Sequence, residues 1–195
     1  MTLSRQKLTL IGIFVLFMGP VLLVMLMRSQ WWDYQPGGLK NHGHLVQPPL
    51  QLALEKSSAI ERKWLVLYVL EQPCEEVCLN EVTALRQIHK AAGRRAENLE
   101  VVLLSSSIFE KQLTTQLDSI YPDFELLSDT EGKALDTLIS VNEAMQAGQN
   151  GFEQVRTYVV DPNFNVVLAY RVDADPNDLH KDLKRLLKWA DQENR

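Results

Sequence analysis

The sequence predicts an α/β domain, a mixed β-sheet flanked by helices, preceded by a single N-terminal transmembrane helix. Three observations support this prediction: an uncharged apolar segment at residues 8–27, apolar runs that alternate with amphipathic segments from residue 64 onwards, and a hairpin pattern at residues 156–171. Runs that are apolar throughout are typical of strands buried on both faces of a sheet. Strands that alternate with helices pair in parallel, and a hairpin adds antiparallel strands.

Residues 8–27 are predicted to form a retained membrane anchor. This stretch of twenty residues carries no charge, and at about 1.5 Å per residue it can cross about 30 Å of hydrocarbon. It ends without the small-residue cleavage site of a signal peptide. Arg5 and Lys7 precede it, whereas only Arg28 follows closely, so the positive-inside rule places the N-terminus in the cytoplasm. In a bacterium, the soluble part then lies in the periplasm, attached to the inner membrane by one span.

The chain is therefore divided into three segments. Residues 1–28 are the cytoplasmic tip and transmembrane anchor, residues 29–58 a periplasmic tether rich in glycine and proline, and residues 59–195 the folded domain. Residues 29–195 hold 17 basic and 25 acidic side chains, a net charge of −8. This charge argues against nucleic acid as a partner and against adhesion to anionic lipid.

The elements of the folded domain follow one another in a regular order. Strands are predicted at residues 64–70, 99–104 and 124–127, helices at 78–92, 108–120 and 130–145, and a short strand at 50–54. A loop at 146–151 precedes a hairpin whose strands, 156–160 and 165–171, flank Asp161–Phe164. The amphipathic segment 179–190 closes the domain as a helix. Gly93 ends the first helix, and Pro122 limits the second.

The two cysteines of the chain lie four positions apart, where the first buried strand is predicted to turn into a helix. Cys74 and Cys78 would lie near unpaired backbone N–H groups and the positive end of the helix dipole, which lower the pKa of a thiol. Glu75 and Glu76 oppose this effect. Cα atoms about 6 Å apart suit a disulfide, and two thiolates at that distance can also bind Cu(I). Cys74 and Cys78 are the candidate catalytic residues and candidate metal ligands.

The anchor, the order of elements and the Cys-x-x-x-Cys pair together resemble the Sco/SenC family of thioredoxin-like proteins. The resemblance covers about residues 60–190 and is strongest at Trp64–Cys78 and Tyr158–Tyr170, with Leu127–Gly132 as a further similar segment. It implies a thioredoxin-like fold, a role in cytochrome c oxidase assembly, and an oxidase subunit or another assembly factor as the partner. It also implies that Cys74 and Cys78 are copper-binding and redox-active thiols.

The chain lacks the histidine that supplies this family's third copper ligand. The family pattern places that histidine where this chain has Glu153 or its neighbour, and carboxylate is a poor ligand for Cu(I). His89 lies about 16 Å along the predicted helix from Cys78, too far to share a metal ion. The other residues considered as ligands are better explained as loop, surface or core residues: His42, His44, His180 and Met145.

The sequence leaves three functional hypotheses open. The first is thiol–disulfide exchange associated with oxidase assembly, in which Cys74 attacks a partner disulfide and Cys78 resolves the mixed disulfide. The second is a Cu(I) chaperone that uses both cysteines and an unidentified third ligand. The third is an assembly scaffold whose cysteines form a structural disulfide. Whether the chain is an enzyme stays open. Phosphate-loop, dinucleotide-binding and zinc-protease motifs are absent from the sequence.

Overall fold

The computed structural model describes residues 41–55, 57–145 and 155–193, together with residues 7, 13–20, 22 and 25. The chain forms two compact units, residues 1–40 and 41–195. Residues 13–20 are helical, and half of the predicted anchor at 8–27 lies outside the described residues. Within the part that the structure describes, no helix is both long and apolar enough to cross a membrane. The anchor, its orientation and the periplasmic location therefore stay predictions.

Six strands of the described residues form one mixed sheet. They are β1 (His44–Gln51), β2 (Trp64–Val69), β3 (Leu99–Ser105), β4 (Glu125–Ser128), β5 (Val155–Val160) and β6 (Asn165–Arg171). Their order across the sheet is β1-β6-β5-β2-β3-β4. The β2–β3 and β3–β4 pairs are parallel, whereas β5, β6 and β1 continue the sheet in antiparallel pairs. The predicted mixed sheet and its hairpin are confirmed.

Helices cover both faces of this sheet. They are α1 (Glu76–Ala91), α2 (Lys111–Ile120), α3 (Lys133–Ala144) and α4 (Pro176–Glu193), and a short 3-10 helix (Gly93–Asn98) follows α1. Side chains of α1, α2 and α4 share one buried cluster with Val66 and Tyr68 of β2, whereas α3 packs with Leu65 and Leu67. This division follows from the alternation of side chains along a strand.

Two glycines with positive φ lie at helix boundaries, one where the boundary was predicted and one where it differs. Gly93 has φ +59° and ends α1, as predicted. Gly132 has φ +76°, so α3 begins at Lys133 rather than at residue 130. The Asp129 carboxylate accepts a 2.8 Å hydrogen bond from the Leu135 N–H and caps the first turn of α3 from outside the helix. The loop predicted at 146–151 lies largely outside the described residues.

Residues 44–51 form the edge strand β1, although the sequence assigned most of them to the tether at 29–58 and placed a short strand at 50–54. β1 pairs with β6 from His44 to Gln51, and its register shifts between Leu45 and Leu50. That interval contains Pro48 and Pro49, which lack an N–H group and are tolerated in edge strands and at bulges. The prolines that indicated a tether therefore lie in a strand at the edge of the sheet.

Candidate functional site

Cys74 and Cys78 form a disulfide at the start of α1, with their Cα atoms 5.3 Å apart. Cys74 lies just before the helix and is partly exposed, whereas Cys78 is the third residue of α1 and only 8% exposed. The prediction that the two cysteines are close enough for a disulfide is confirmed. Their redox or metal-binding role stays a prediction.

The first turn of α1 has no side-chain cap. Glu75 is the N-cap residue, its backbone is extended, and its side chain makes no capping hydrogen bond. The first N–H groups of a helix have no acceptor within the helix, and the helix dipole adds positive charge there. These N–H groups and the dipole would both stabilise a thiolate at Cys74 or Cys78. The opposing carboxylates of Glu75 and Glu76 are exposed, so water weakens their effect.

Gln72 connects the cysteine segment to the loop that follows β3. Its side-chain amide lies 3.1 Å from Ser105 Oγ, 3.0 Å from Ser107 Oγ and 3.3 Å from the Ile108 carbonyl oxygen, and it donates to all three. Because Gln72 precedes Cys74 by two residues, these contacts fix the position of the loop next to the disulfide. Sequence reasoning missed Gln72. Its position in a short polar stretch, Glu71–Gln72, between an apolar strand and a cysteine was the available signal.

A second polar cluster lies beside the site, between β2, β5 and α1. Arg156 Nη2 on β5 lies 3.0 Å from Glu71 Oε2, just after β2. The Tyr68 hydroxyl on β2 donates a hydrogen bond to the carboxylate of Glu81 on α1. Burial, and then the Glu81 carboxylate, raise the pKa of Tyr68 above its usual range. These contacts hold the end of β2 against β5 and α1, and no local sequence pattern pointed to them.

The described residues bring no third metal ligand to the two sulfurs. Among them, no group of three or more His, Cys, Asp or Glu side chains could hold a metal ion. His89 lies instead 3.0 Å from the Tyr121 hydroxyl and 3.2 Å from the Leu99 carbonyl oxygen. Glu153, at the position expected for the family's histidine, is outside the described residues. The described donors therefore do not fit a three-ligand copper site.

The remaining candidate ligands lie elsewhere in the domain. His42 contacts Asp178 on α4 at 3.3 Å, and His44 begins β1, three strands away from β2 in the sheet. His180 lines a cleft between α4 and the C-terminal end of α1. Met145 packs against the core on the α3 face. His180 and Met145 lie at surface and core positions as expected, whereas His44 lies in an edge strand and not in the loop expected for it.

Comparisons with known proteins identify the family of this domain. A family model described as the transmembrane-like, thioredoxin-like, C-terminal domain matches residues 64–190. No protein of curated function matches the chain in sequence. One similar solved structure is a SCO1/SenC family lipoprotein from Bacillus anthracis (18% identity, 72% of this chain and 98% of that chain, TM-score 0.48). Another is Arabidopsis thaliana ScoI with copper bound (16% identity, 74% and 99% coverage, TM-score 0.49).

A third similar structure is the yeast mitochondrial 1-Cys peroxiredoxin (16% identity, 77% of this chain and 79% of that chain, TM-score 0.50). Likeness at such low identity bears on the fold alone. The family model confirms the thioredoxin-like fold. Sco/SenC proteins are among the structural neighbours, in agreement with the resemblance. The family model matches more than half of the chain, and the chain therefore belongs to the transmembrane-like, thioredoxin-like, C-terminal domain family.

Proposed function

We propose that this protein carries out thiol–disulfide exchange through Cys74 and Cys78. The observation that carries the proposal is a disulfide between a partly exposed cysteine before α1 and a buried cysteine in its first turn. A partner sulfur can approach Cys74, whereas Cys78 is accessible mainly to Cys74. In the chain-entropy model, a disulfide that closes so short a loop contributes only about 2 kcal/mol to stability. A purely structural role is therefore less well supported than a role in exchange.

The exchange moves two electrons in two steps. The Cys74 thiolate attacks one sulfur of a partner disulfide, which forms a mixed disulfide and releases the first partner thiolate. The Cys78 thiolate then attacks Cys74 Sγ, which releases the second partner thiolate and forms the Cys74–Cys78 disulfide. The partner gains two electrons, and the protons lost by Cys74 and Cys78 pass through solvent to the partner thiols. A partner dithiol returns the pair to the reduced state by the reverse steps.

The partner class in this proposal is a cysteine pair in a cytochrome c oxidase subunit or in another assembly factor. The resemblance of residues 60–190 to the Sco/SenC family supports this choice.

The proposal also keeps the N-terminal anchor and the periplasmic location, which the uncharged segment at 8–27 supports. The apolar side chains of residues 13–17 are more than half exposed, as an anchor outside its membrane would be. Carbonate extraction of cell membranes and protease accessibility of intact spheroplasts test this part.

Copper is left out of the proposed mechanism. The sulfurs of Cys74 and Cys78 are suitable donors for Cu(I), but the described residues supply no third ligand near them.

A scaffold role would leave the cysteines dispensable. Replacing both cysteines with serine in the cell and measuring oxidase assembly distinguishes the scaffold from the two hypotheses that need the cysteines, because full assembly without the cysteines would support the scaffold.

The reduction potential of the pair tests the proposed function directly. The chain is equilibrated in glutathione redox buffers, its thiols are alkylated, and the reduced fraction is measured by mass. We expect a potential within the range of exchange proteins, about −270 to −120 mV, whereas a value below about −300 mV would indicate a structural disulfide. In the Cys78→Ser variant, Cys74 should accumulate a mixed disulfide with a probe disulfide. The Cys74→Ser variant, whose remaining thiol is buried, is the matched control and should react much more slowly.

A further inference from the structure

Two strongly exposed aliphatic side chains lie beside the disulfide. Val77, between the two cysteines, is 68% exposed, and Ile108, in the loop after β3, is 77% exposed. The Gln72 amide, two residues before Cys74, donates to the Ile108 carbonyl oxygen at 3.3 Å. This contact places Ile108 next to the segment that carries Cys74. Exposed apolar side chains grouped around a reactive group are typical of a surface that a partner covers.

Exposed carboxylates lie in the same two segments. Glu75 and Glu76 lie between the cysteines, and Glu110 follows Ile108 by two residues and is the N-cap residue of α2. Each carboxylate lies at the N-terminal end of a helix, where the dipole favours a negative charge. The surface formed by Cys74, Glu75, Glu76, Val77, Ile108 and Glu110 is called the Cys74 face below. It combines a reactive disulfide with negative charge and aliphatic side chains.

We propose that the Cys74 face selects cysteine-containing segments of partner polypeptides that carry lysine or arginine and an aliphatic side chain next to the reacting sulfur. This inference rests on the proposed exchange function. A partner thiolate is negative, so Glu75 and Glu76 repel it unless positive charges accompany it. An aliphatic side chain beside the partner cysteine removes Val77 and Ile108 from water. The face therefore discriminates among partners by charge and by apolar contact.

Short peptides with two cysteines test this selection. A peptide thiolate attacks Cys74 Sγ, the Cys74–Cys78 bond breaks, and Cys78 leaves as a thiolate. The second peptide thiolate then attacks the peptide sulfur of the mixed disulfide and releases the Cys74 thiolate. The peptide dithiol loses two electrons to the protein, and its protons pass through solvent to the cysteine thiols. The oxidised peptide is quantified by chromatography, which gives a rate constant for each peptide.

Three peptides share one dithiol sequence and differ only in flanking residues: lysine with leucine, glutamate with leucine, and lysine with serine. Flanking charge also changes the pKa of the peptide thiols. Each rate constant is therefore divided by the rate constant of the same peptide with a small neutral disulfide. At low salt, we expect the lysine–leucine peptide to react about tenfold faster than the glutamate–leucine peptide and about fivefold faster than the lysine–serine peptide. About 1 M KCl should remove most of the charge preference.

Variants of the full chain assign each preference to its residues. Glu75→Gln combined with Glu76→Gln should reduce the charge preference to about twofold, and Val77→Ser combined with Ile108→Ser should remove the leucine preference. The matched controls are Glu97→Gln and Trp189→Ser, and both side chains are exposed. Glu97 lies in the 3-10 helix that follows α1, and Trp189 lies near the C-terminal end of α4. All substituted side chains are exposed, so the folded state should persist, which circular dichroism checks.

The outcomes separate this inference from the proposed function. Exchange that proceeds equally with all three peptides would leave the exchange function in place and overturn the selectivity. A preference that the Glu97 and Trp189 controls change as much as the Cys74-face variants do would also overturn it. Absence of oxidation of every peptide, with the small neutral disulfide reacting normally, would reject the exchange function itself.

Discussion

The Tyr170 hydroxyl on β6 donates a hydrogen bond of 2.9 Å to Oδ2 of Asp182 on α4. The same oxygen accepts hydrogen bonds from the backbone N–H groups of His42 at 2.7 Å and Gly43 at 3.0 Å. Asp182 is 2% exposed. A Cβ atom on residue 43 would lie 2.5 Å from Cζ of Tyr170, so only glycine allows this approach. One buried carboxylate therefore holds β6, α4 and the residues before β1 together.

Replacement of Asp182 should strongly destabilise the domain. In Asp182→Ala, three donors lose their acceptor, two of them in buried hydrogen bonds, and we expect the free energy of unfolding to decrease by about 3–5 kcal/mol. Urea unfolding of the oxidised protein, followed by circular dichroism, measures this change. Asp178→Ala on the same helix is the control and should have a much smaller effect, because that side chain is partly exposed and its contacts with His42 and Lys181 lie at the surface. Equal effects of the two substitutions would contradict this account.

Alkaline pH should destabilise the domain through its buried tyrosines. Burial raises the pKa of Tyr68, Tyr158 and Tyr170. In the unfolded chain tyrosine ionises near pH 10, so above about that pH the unfolded state releases protons that the folded state retains. The stabilisation is therefore fully present below about pH 10 and is lost above it, by up to about 1.4 kcal/mol per pH unit for each tyrosine.

Urea unfolding at about pH 8, 10 and 11 measures this loss, and the disulfide stays intact under these conditions. Tyr170→Phe should reduce the slope above about pH 10 by roughly a quarter to a third, because Tyr121 also has a raised pKa and one of four such tyrosines no longer titrates. A free energy of unfolding that is the same at about pH 11 as at about pH 8 would show that these hydroxyl groups ionise as easily in the folded protein as in the unfolded chain.

The central strands and the helices could be predicted because their patterns are local. β3 is buried at every position, and its sequence is apolar almost throughout. β1 could not be predicted, because its prolines suit a tether as well as an edge strand. Its pairing partner is β6, more than a hundred positions later, where His44 pairs with Ala169 and Gln51 with Asn165. Only the folded arrangement distinguishes an edge strand from a tether at these residues.

The candidate site shows the same division between local and distant information. The spacing of Cys74 and Cys78 at a strand-to-helix transition is enough to predict that the two cysteines lie close enough for a disulfide. The contacts that fix the surroundings join residues far apart in sequence: Gln72 binds Ile108, 36 positions later, and Glu71 binds Arg156, 85 positions later. A single sequence contains no signal for such pairs, because Glu71, Gln72 and Arg156 are ordinary polar residues, and the acceptor at Ile108 is a backbone carbonyl oxygen.

Removal of the Gln72 side chain should loosen the loop beside the disulfide. In Gln72→Ala, the contacts with Ser105, Ser107 and Ile108 are lost, and water replaces them in part because the site is partly exposed. We expect a decrease of about 1 kcal/mol in the free energy of unfolding. Backbone amides of residues 106–109 should exchange with deuterium faster, while those of β3 stay protected. Gln116→Ala, at an exposed position of α2, should change neither quantity. Unchanged amide exchange in Gln72→Ala would show that the loop holds its position without these contacts.

Copper binding is the measurement that separates the exchange hypothesis from the chaperone hypothesis. The reduced chain is titrated anaerobically with Cu(I) against a competing chelator, and a linear peptide of residues 71–80 serves as the reference. Because the described residues supply two sulfurs and no third ligand, we expect the chain to bind Cu(I) no more tightly than the peptide does. Cys78→Ser should weaken binding in both.

Tight binding of one Cu(I) per chain, dependent on both cysteines and far stronger than binding by the peptide, would contradict this expectation. The third donor would then have to come from outside the described residues, and residues 146–154, just before β5, include the position at which the resemblance predicts a ligand. Glu153→His provides the matched test. If this position faces the sulfurs, histidine should increase the affinity for Cu(I), because imidazole is a better ligand for this ion than carboxylate. An unchanged affinity would show that residue 153 does not reach the sulfurs.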